Sequence, residues 1–216
     1  LSSTGEIVPV AETDAVRQDI VDRFTAELGA SVVGSLVKPG DDVWLRIATD
    51  AWQEAARVAR DKLGFDYFCF LSGLDWLPSP FGKGEDDPTA PPPERSTEIV
   101  QGYAGGATRF QVFARVVNIR QHVGVTLKVD VPEPSPTVDT WSSVYAGANW
   151  HERETWEMFG ITFAGHPDLR HMYLPSEFEG HPLRKDFPLL ARIVKPWPGI
   201  VDVEPMPAGM DGGDAE

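Results

Sequence analysis

The sequence predicts an α+β fold: a two-layer domain of two helices on a largely antiparallel sheet, followed by an extended, proline-rich C-terminal tail. Three observations predict it. Residues 14–28 and 50–63 repeat apolar side chains at helical spacing. Residues 31–37, 43–47, 67–74, 109–118 and 121–130 are β-branched, aromatic or alternating. Regular periodicity then stops at Gly160, after which Gly, Pro, His and aromatic residues recur to the end.

The elements follow in order. Residues 1–13 read as an N-terminal arm. Asp14 is placed to cap a helix in which Val16, Ile20, Phe24 and Leu28 recur every four residues, and Gly29 ends it. Pro39-Gly40-Asp41 is turn chemistry between residues 31–37 and the alternating Val43, Leu45 and Ile47, so these two stretches predict a β-hairpin. Asp50 and Gln53 have capping-box spacing ahead of a stripe of Trp52, Ala55, Ala56, Ala59 and Leu63, with Gly64 as the stop. Residues 67–74 predict a strand.

Residues 77–106 carry Pro78, Pro80, Pro88 and Pro91-Pro92-Pro93 among glycines and acids, a composition that does not build a core. They read as a long insertion between two strands. Residues 109–118 and 121–130 predict two further strands joined at Ile119-Arg120, with Phe110, Val112 and Phe113 on the apolar face of the first and Val123, Val125, Leu127 and Val129 on that of the second. The α+β domain thus spans residues 14–138, with a rigid spacer at Pro132-Glu133-Pro134-Ser135-Pro136. Residues 139–160 predict two short helices. The first is capped by Asp139 and holds Trp141, Val144 and Tyr145; the second opens on a capping box of Asn149 and Glu152. Residues 161–216 form the tail, a segment stable only when it lies against something, which favours a partner.

Composition narrows the function. A net charge of -14 repels nucleic acid and anionic lipid alike, and the densest basic pair, Arg184-Lys185, is followed at once by Asp186. No apolar run approaches the roughly 18–20 residues of a spanning helix, and Leu1-Ser2-Ser3-Thr4 has neither the basic nor the apolar region of a secretory signal. Any membrane association is therefore expected through partner proteins. The one cysteine, Cys69, forms no internal disulfide and by itself holds neither an iron–sulfur cluster nor a structural zinc; within Tyr67-Phe68-Cys69-Phe70-Leu71 it reads as buried and inert. Dinucleotide, phosphate-loop, nucleophile-elbow and C-x-x-C motifs do not occur.

The chemistry is concentrated after residue 148. Arg153 and Glu157 stand four apart on one helix, the spacing of an ion pair, and Glu152, Arg153 and Glu154 offer a polar network to pin the tail, against the alternative of a solvated charged face. Gly165-His166-Pro167 and Gly180-His181-Pro182 read as a duplicated turn. His151, His166, His171 and His181 with Glu152 and Glu154 are the candidate metal ligands, but H-E-x-x-H is absent and turn histidines held by hydrogen bonds are the better reading. Residues 183–188, with Trp156, Phe178, Phe187 and Trp197, have the composition of interface anchors.

In the segment from residue 148 to 189, Glu152-Arg153-Glu154 leads to Phe159-Gly160-Ile161. Gly165-His166-Pro167-Asp168-Leu169-Arg170 comes next, and then Gly180-His181-Pro182-Leu183-Arg184-Lys185-Asp186-Phe187-Pro188. In order and spacing this resembles the signature region of the 30 kDa (C) subunit family of respiratory complex I. The resemblance covers about the last third of the chain; upstream it holds only as architecture. His171 stands where Arg is common, Glu157 where Asp is common, and the insertion after Leu77 is no hallmark of the family.

The resemblance implies a structural subunit of the peripheral arm of proton-translocating NADH:quinone oxidoreductase, in the quinone-reducing module. It implies no catalytic residue, cofactor or metal on this chain, with FMN, iron–sulfur clusters and quinone held by other subunits. The expected partners are the 49 kDa (D) subunit, then the B, I and G subunits. The expected place is the cytoplasmic side of the cell membrane, peripherally. Two other readings compete: the equivalent subunit of a membrane-bound hydrogenase-type complex, and an independent metal or carboxylate hydrolase using His151, Glu152 and Glu154.

Overall fold

The computed structural model describes residues 14–80 and 94–188. The expected arm, Pro88, the proline triplet at 91–93 and the tail from residue 189, with Trp197, lie outside the described residues.

Helix α1 (Ala15–Leu28) opens where the Asp14 carboxylate accepts the Arg17 N–H at 3.1 Å, and closes on Gly29 at φ 57. Ile20, Val21 and Phe24 are buried, whereas Val16 is 64% exposed. A strict four-residue repeat rotates by about 40° per step, so its ends leave the core-facing stripe. Strands β1 (Val32–Leu36) and β2 (Val43–Ile47) form the expected antiparallel hairpin.

The second helix differs in detail. A 3₁₀ turn (Thr49–Ala51) leads into α2 (Trp52–Arg57), and a π turn (Val58–Lys62) ends at Gly64, φ 75. Asp50 and Gln53 form no capping box. The 3₁₀ entry engages the Ala51 N–H with Ala48, and Gln53 Nε2 donates instead to the Thr140 carbonyl at 2.8 Å.

Strands β3 (Tyr67–Asp75), β4 (Phe110–Asn118) and β5 (Val123–Asp130) complete a five-stranded sheet in the order β1-β2-β5-β4-β3. It is antiparallel except where β2 runs parallel to β5. Val43, Leu45, Ile47, Leu71, Val112, Ala114, Val125 and Leu127 form the buried face that the helices cover. Phe113 does not join Phe110 and Val112 there. Alternation along β4 turns it to the opposite face, where it meets Phe70 edge-on at 5.5 Å.

That opposite face is partly covered by the second half of the insertion. Arg46 Nε donates to the Ala104 carbonyl at 3.1 Å, Gln111 Nε2 to the Gly105 carbonyl at 3.2 Å and to Asp130 at 2.7 Å, and Tyr103 packs on Trp44 at 5.3 Å. This segment has few apolar residues and is held by buried polar side chains instead. Lys128 lies beneath it, 1% exposed, donating to Gln111 Oε1 at 3.1 Å. Burial pushes its ammonium down to about 8, with Asp130 opposing and Arg46 adding to the shift.

The remaining elements build the site. Strand β6 (Thr137–Asp139) pairs in parallel with β7 (Thr162–Ala164), and α3 (Ala148–Phe159) lies between them in sequence. The expected helix after Asp139 is a single turn: the N–H groups of Val144 and Tyr145 both meet the Trp141 carbonyl at 2.8 Å. Asp139 belongs to β6, and the Thr140 hydroxyl accepts the Ser142 N–H at 3.0 Å, a local bond that competes with helix propagation. Trp141 stacks on Trp52 with ring centroids 4.4 Å apart. The α+β class and the mostly antiparallel sheet stand as predicted, with three α-helices rather than two on its one face among the described residues.

Candidate docking site on the third helix

Helix α3 carries two buried stripes. The inner one, Ala148, Glu152, Thr155 and Phe159, recurs at three- and four-residue spacing and faces β3. There the absence of a side chain at Gly73 matters, since a Cβ would stand 2.8 Å from the Phe159 ring and 3.0 Å from Thr155. Gly160, left-handed at φ 71, ends the helix as expected.

Glu152 does not cap α3; Gly147 does, with no side-chain bond. The Glu152 carboxyl is fully buried, one oxygen meeting the Trp141 N–H at 2.5 Å and the other the Thr140 hydroxyl. Burial pushes this carboxyl up to about 7, against the opposing effect of those two bonds. Glu152 thus ties α3 to the turn after β6. His166 lies beside it, its Nε2 3.9 Å from the carboxyl. That nitrogen faces the Asn149 carbonyl at 3.1 Å, while Nδ1 accepts the Asp168 N–H at 3.1 Å, a pattern that assigns the neutral Nε2–H tautomer.

The second stripe is Arg153 and Glu157. These two do not pair with each other. Arg153 donates to the carbonyls of Arg170 and His171 at 3.1 and 3.2 Å. Glu157 accepts the N–H groups of Met172, Tyr173 and Leu174 at 3.0, 3.1 and 2.7 Å and meets His171 Nδ1 at 3.0 Å. The cation takes backbone carbonyls and the anion takes backbone N–H groups, because a strand of irregular chain lies alongside and its polar groups need partners. Burial acts to raise the Glu157 carboxyl, but the N–H groups of Leu174, Met172 and Tyr173 and the His171 ring outweigh it and hold it below its ordinary value. Glu154 is half-buried on the same helix, and its side chain has no hydrogen-bond or ion-pair partner among the described residues, so it is no part of this network.

The second glycine–histidine–proline element caps the C-terminal end of α3. The last carbonyls of a helix lack intrahelical partners. Here His181 Nδ1 meets the Glu157 carbonyl at 2.9 Å, the Leu183 N–H meets Met158 at 3.1 Å, and Arg184 Nε meets Phe159 at 2.6 Å. Arg184 also brings a cation to the negative end of the helix dipole. A Cβ at Gly160 would stand 2.4 Å from Arg184 and 2.5 Å from His181, so this position needs glycine for space as well as for its positive φ. Phe187 closes over Gly180, and its ring faces Phe178 at 6.0 Å; Pro188 is the last described residue.

Residues 185–186 are fastened to the sheet. Asp75, at the end of β3 with its side chain fully buried, pairs with Arg109 at 2.7 Å and accepts the Lys185 N–H at 2.8 Å. Arg109 reaches Asp186 at 2.9 Å. Burial acts to raise the Asp75 carboxyl, and Arg109 with the Lys185 and Leu77 N–H groups brings it below its ordinary value. Neither Asp75 nor Arg109 is a candidate from sequence; they sit 34 residues apart and no local pattern marks them. The Asp168–Arg170 pair, by contrast, is well exposed at 3.2 Å and contributes little. His151 Nδ1 faces the Leu71 carbonyl at 3.1 Å. Among the described residues no three His, Cys, Asp or Glu side chains are grouped to hold a metal ion.

The fold and the site define a two-layer α+β domain with an irregular C-terminal strap stapled along one helix. Residues 45–192 match the family described as "Respiratory-chain NADH dehydrogenase, 30 Kd subunit". The NADH-quinone oxidoreductase C subunit of Xanthomonas campestris pv. campestris (strain B100) is 32% identical over 196 residues, covering 79% of this chain and 78% of its own length. That of Roseiflexus sp. (strain RS-1) is 34% identical over 178 residues, covering 81% of this chain and 86% of its own. A chain in the structure of the membrane-bound sulfane sulfur reductase, an archaeal respiratory membrane complex, has the same fold. Its TM-score is 0.59 at 17% identity, over 81% of this chain and 86% of that one. This chain belongs to the respiratory-chain NADH dehydrogenase 30 kDa subunit family.

Proposed function

We propose that this chain is a structural subunit of a proton-translocating NADH:quinone oxidoreductase, seated in the quinone-reducing module of the peripheral arm and docked chiefly on the 49 kDa (D) subunit, with the B, I and G subunits as further neighbours. It carries no catalytic residue or cofactor of its own; FMN, the iron–sulfur clusters and quinone belong to other subunits. It meets the membrane only through those partners, on the cytoplasmic side. Among the described residues, no helix is long and apolar enough to cross a membrane.

The observation that carries this reading is how the charged residues of α3 and its strap are used. Arg153, Glu157, His181, Arg184 and Asp75 are spent on backbone groups or on His171 and Arg109, which fixes the strap, and Glu152 ties α3 to Thr140 and Trp141. Among the charged residues that the same unit turns outward, such as Asp168 and Arg170, stand three large apolar side chains: Trp150, Tyr173 and Leu183 are 66%, 60% and 51% exposed. A rigid strap presenting aromatic and aliphatic anchors is the make-up of a protein–protein contact.

The test is affinity purification through this chain from solubilised native membranes, with mass spectrometry and an NADH:quinone assay. Recovery of the B, D and I subunits with activity supports the proposal. A partnerless chain, or a set of hydrogenase-type subunits, overturns it.

A further inference from the structure

A shallow depression, open to solvent, lies beside Trp150. Ser142, Ser143, Ala146, Asn149, Gly165 and Pro167 line it; the Ser142 hydroxyl is bonded to that of Thr140 at 2.7 Å, and the Ser143 hydroxyl accepts from Gln53 Nε2 at 3.5 Å. No charged side chain lines it. Its surroundings are acidic: Asp139 is exposed and paired in register with Ala164, the residue before Gly165, and Glu154 follows Trp150 by one helical turn. Neither acid has an ion-pair partner among the described residues. The nearby cations are engaged. Arg153, 5.9 Å from the Trp150 ring centroid, donates to two strap carbonyls, and Arg170 pairs with Asp168.

We infer that this depression receives an arginine side chain from the neighbouring subunit, its guanidinium against the Trp150 indole and its N–H groups toward Ser142, Ser143 and Asn149. The inference rests on the docking reading above and names the chemistry of the contact. A planar guanidinium suits the site better than an ammonium. It stacks on an indole face while its in-plane donors reach hydroxyl and amide oxygens. Asp139, opposite the neighbour of lining Gly165, and a net charge of -14 on the chain favour a basic visitor over an acidic one. Of the described large apolar side chains left in solvent, Trp150 shares the highest exposure with Val100; Arg153 stands over its ring, and the rest of the indole is open to a partner.

The experiment replaces Trp150 with a photo-crosslinking phenylalanine in the tagged full chain, purifies the assembled complex, irradiates it and sequences the cross-linked peptide. A cross-link to a neighbouring subunit within a few residues of an arginine is expected. In the same complex, Trp150→Ala should speed loss of that neighbour during washing by roughly three- to thirtyfold, and Trp150→Phe by less. An assembled complex whose cross-link falls on a peptide without arginine, on lipid, or nowhere overturns the arginine inference and leaves docking intact. A tagged chain recovered without any partner overturns the docking reading and this inference with it.

Discussion

Replacing Glu157 with Gln removes one charge and keeps the shape of the side chain. In the wild type the carboxylate accepts three consecutive strap N–H groups and meets His171. The Gln amide has one acceptor oxygen, and its NH₂ group faces strap donors. Hydrogen bonds to a charged group contribute about 1.5–3 kcal/mol each, and an unsatisfied buried donor costs a comparable amount. The strap surface is partly wet, so the expected loss is about 2–4 kcal/mol, felt first as local opening of residues 170–174. Amide exchange at Met172, Tyr173 and Leu174 should speed up roughly 30- to 700-fold in Glu157→Gln, with the sheet amides little changed. The carboxyl is held below its ordinary 4.5 in the fold. Its contribution is therefore complete above the unfolded value and is lost as pH falls through the lowered folded one. The gap between the two proteins should close on acidification. Unchanged exchange at 172–174, or a gap that persists once the carboxylate is protonated, would refute the stapling role.

Other perturbations probe separate joints. Glu152 is pushed up to about 7 from 4.5, so the folded chain binds the extra proton between these values and wild-type stability falls as pH rises through the window. Glu152→Gln, which mimics the protonated form, should remove up to about 3 kcal/mol of that pH dependence in urea titrations. Lys128 is pushed down to about 8 from 10.5, so the wild type should gain stability as pH rises between them. Lys128→Met should match or exceed wild-type stability at neutral pH, and a large loss would contradict the cost assigned to the buried ammonium. Gly160→Ala forces a side chain into a left-handed position against Arg184 and His181. It should cost about 1–3 kcal/mol in thermal unfolding and expose the 181–184 cap to exchange.

Much of the fold is legible because it is written locally. The periods of α1 and the strands, and the stops at Gly29, Gly64 and Gly160, each depend on residues within one element. The misread capping boxes show where local spacing stops being informative. Glu152 has the right offset from Asn149, but its partners are Thr140 and the Trp141 N–H in the preceding turn. Arg153 and Glu157 have ion-pair spacing, yet neighbouring backbone with unmet hydrogen bonds competes successfully for both. The Asp75–Arg109–Asp186 clasp joins residues 34 and 77 positions apart, a separation no pattern encodes. Lys128 and Gln111 occupy strand positions that alternate as if facing solvent, and only the folded-back insertion buries them. The strap residues themselves stand out through family resemblance; their chemistry as a helix cap emerges only where the carbonyls of residues 157–159 meet His181, Leu183 and Arg184.

The proposed function requires α3 and the strap to form a docking surface that exists before assembly. Hydrogen–deuterium exchange of this chain, followed first within the purified complex and then after release from it, tests that most directly. Assembly should add protection across residues 150–188, most around Trp150, Tyr173 and Leu183, while α1 and β1 exchange alike in both states. Added protection confined to α1 and the β1–β2 hairpin, with residues 150–188 unchanged, would contradict it.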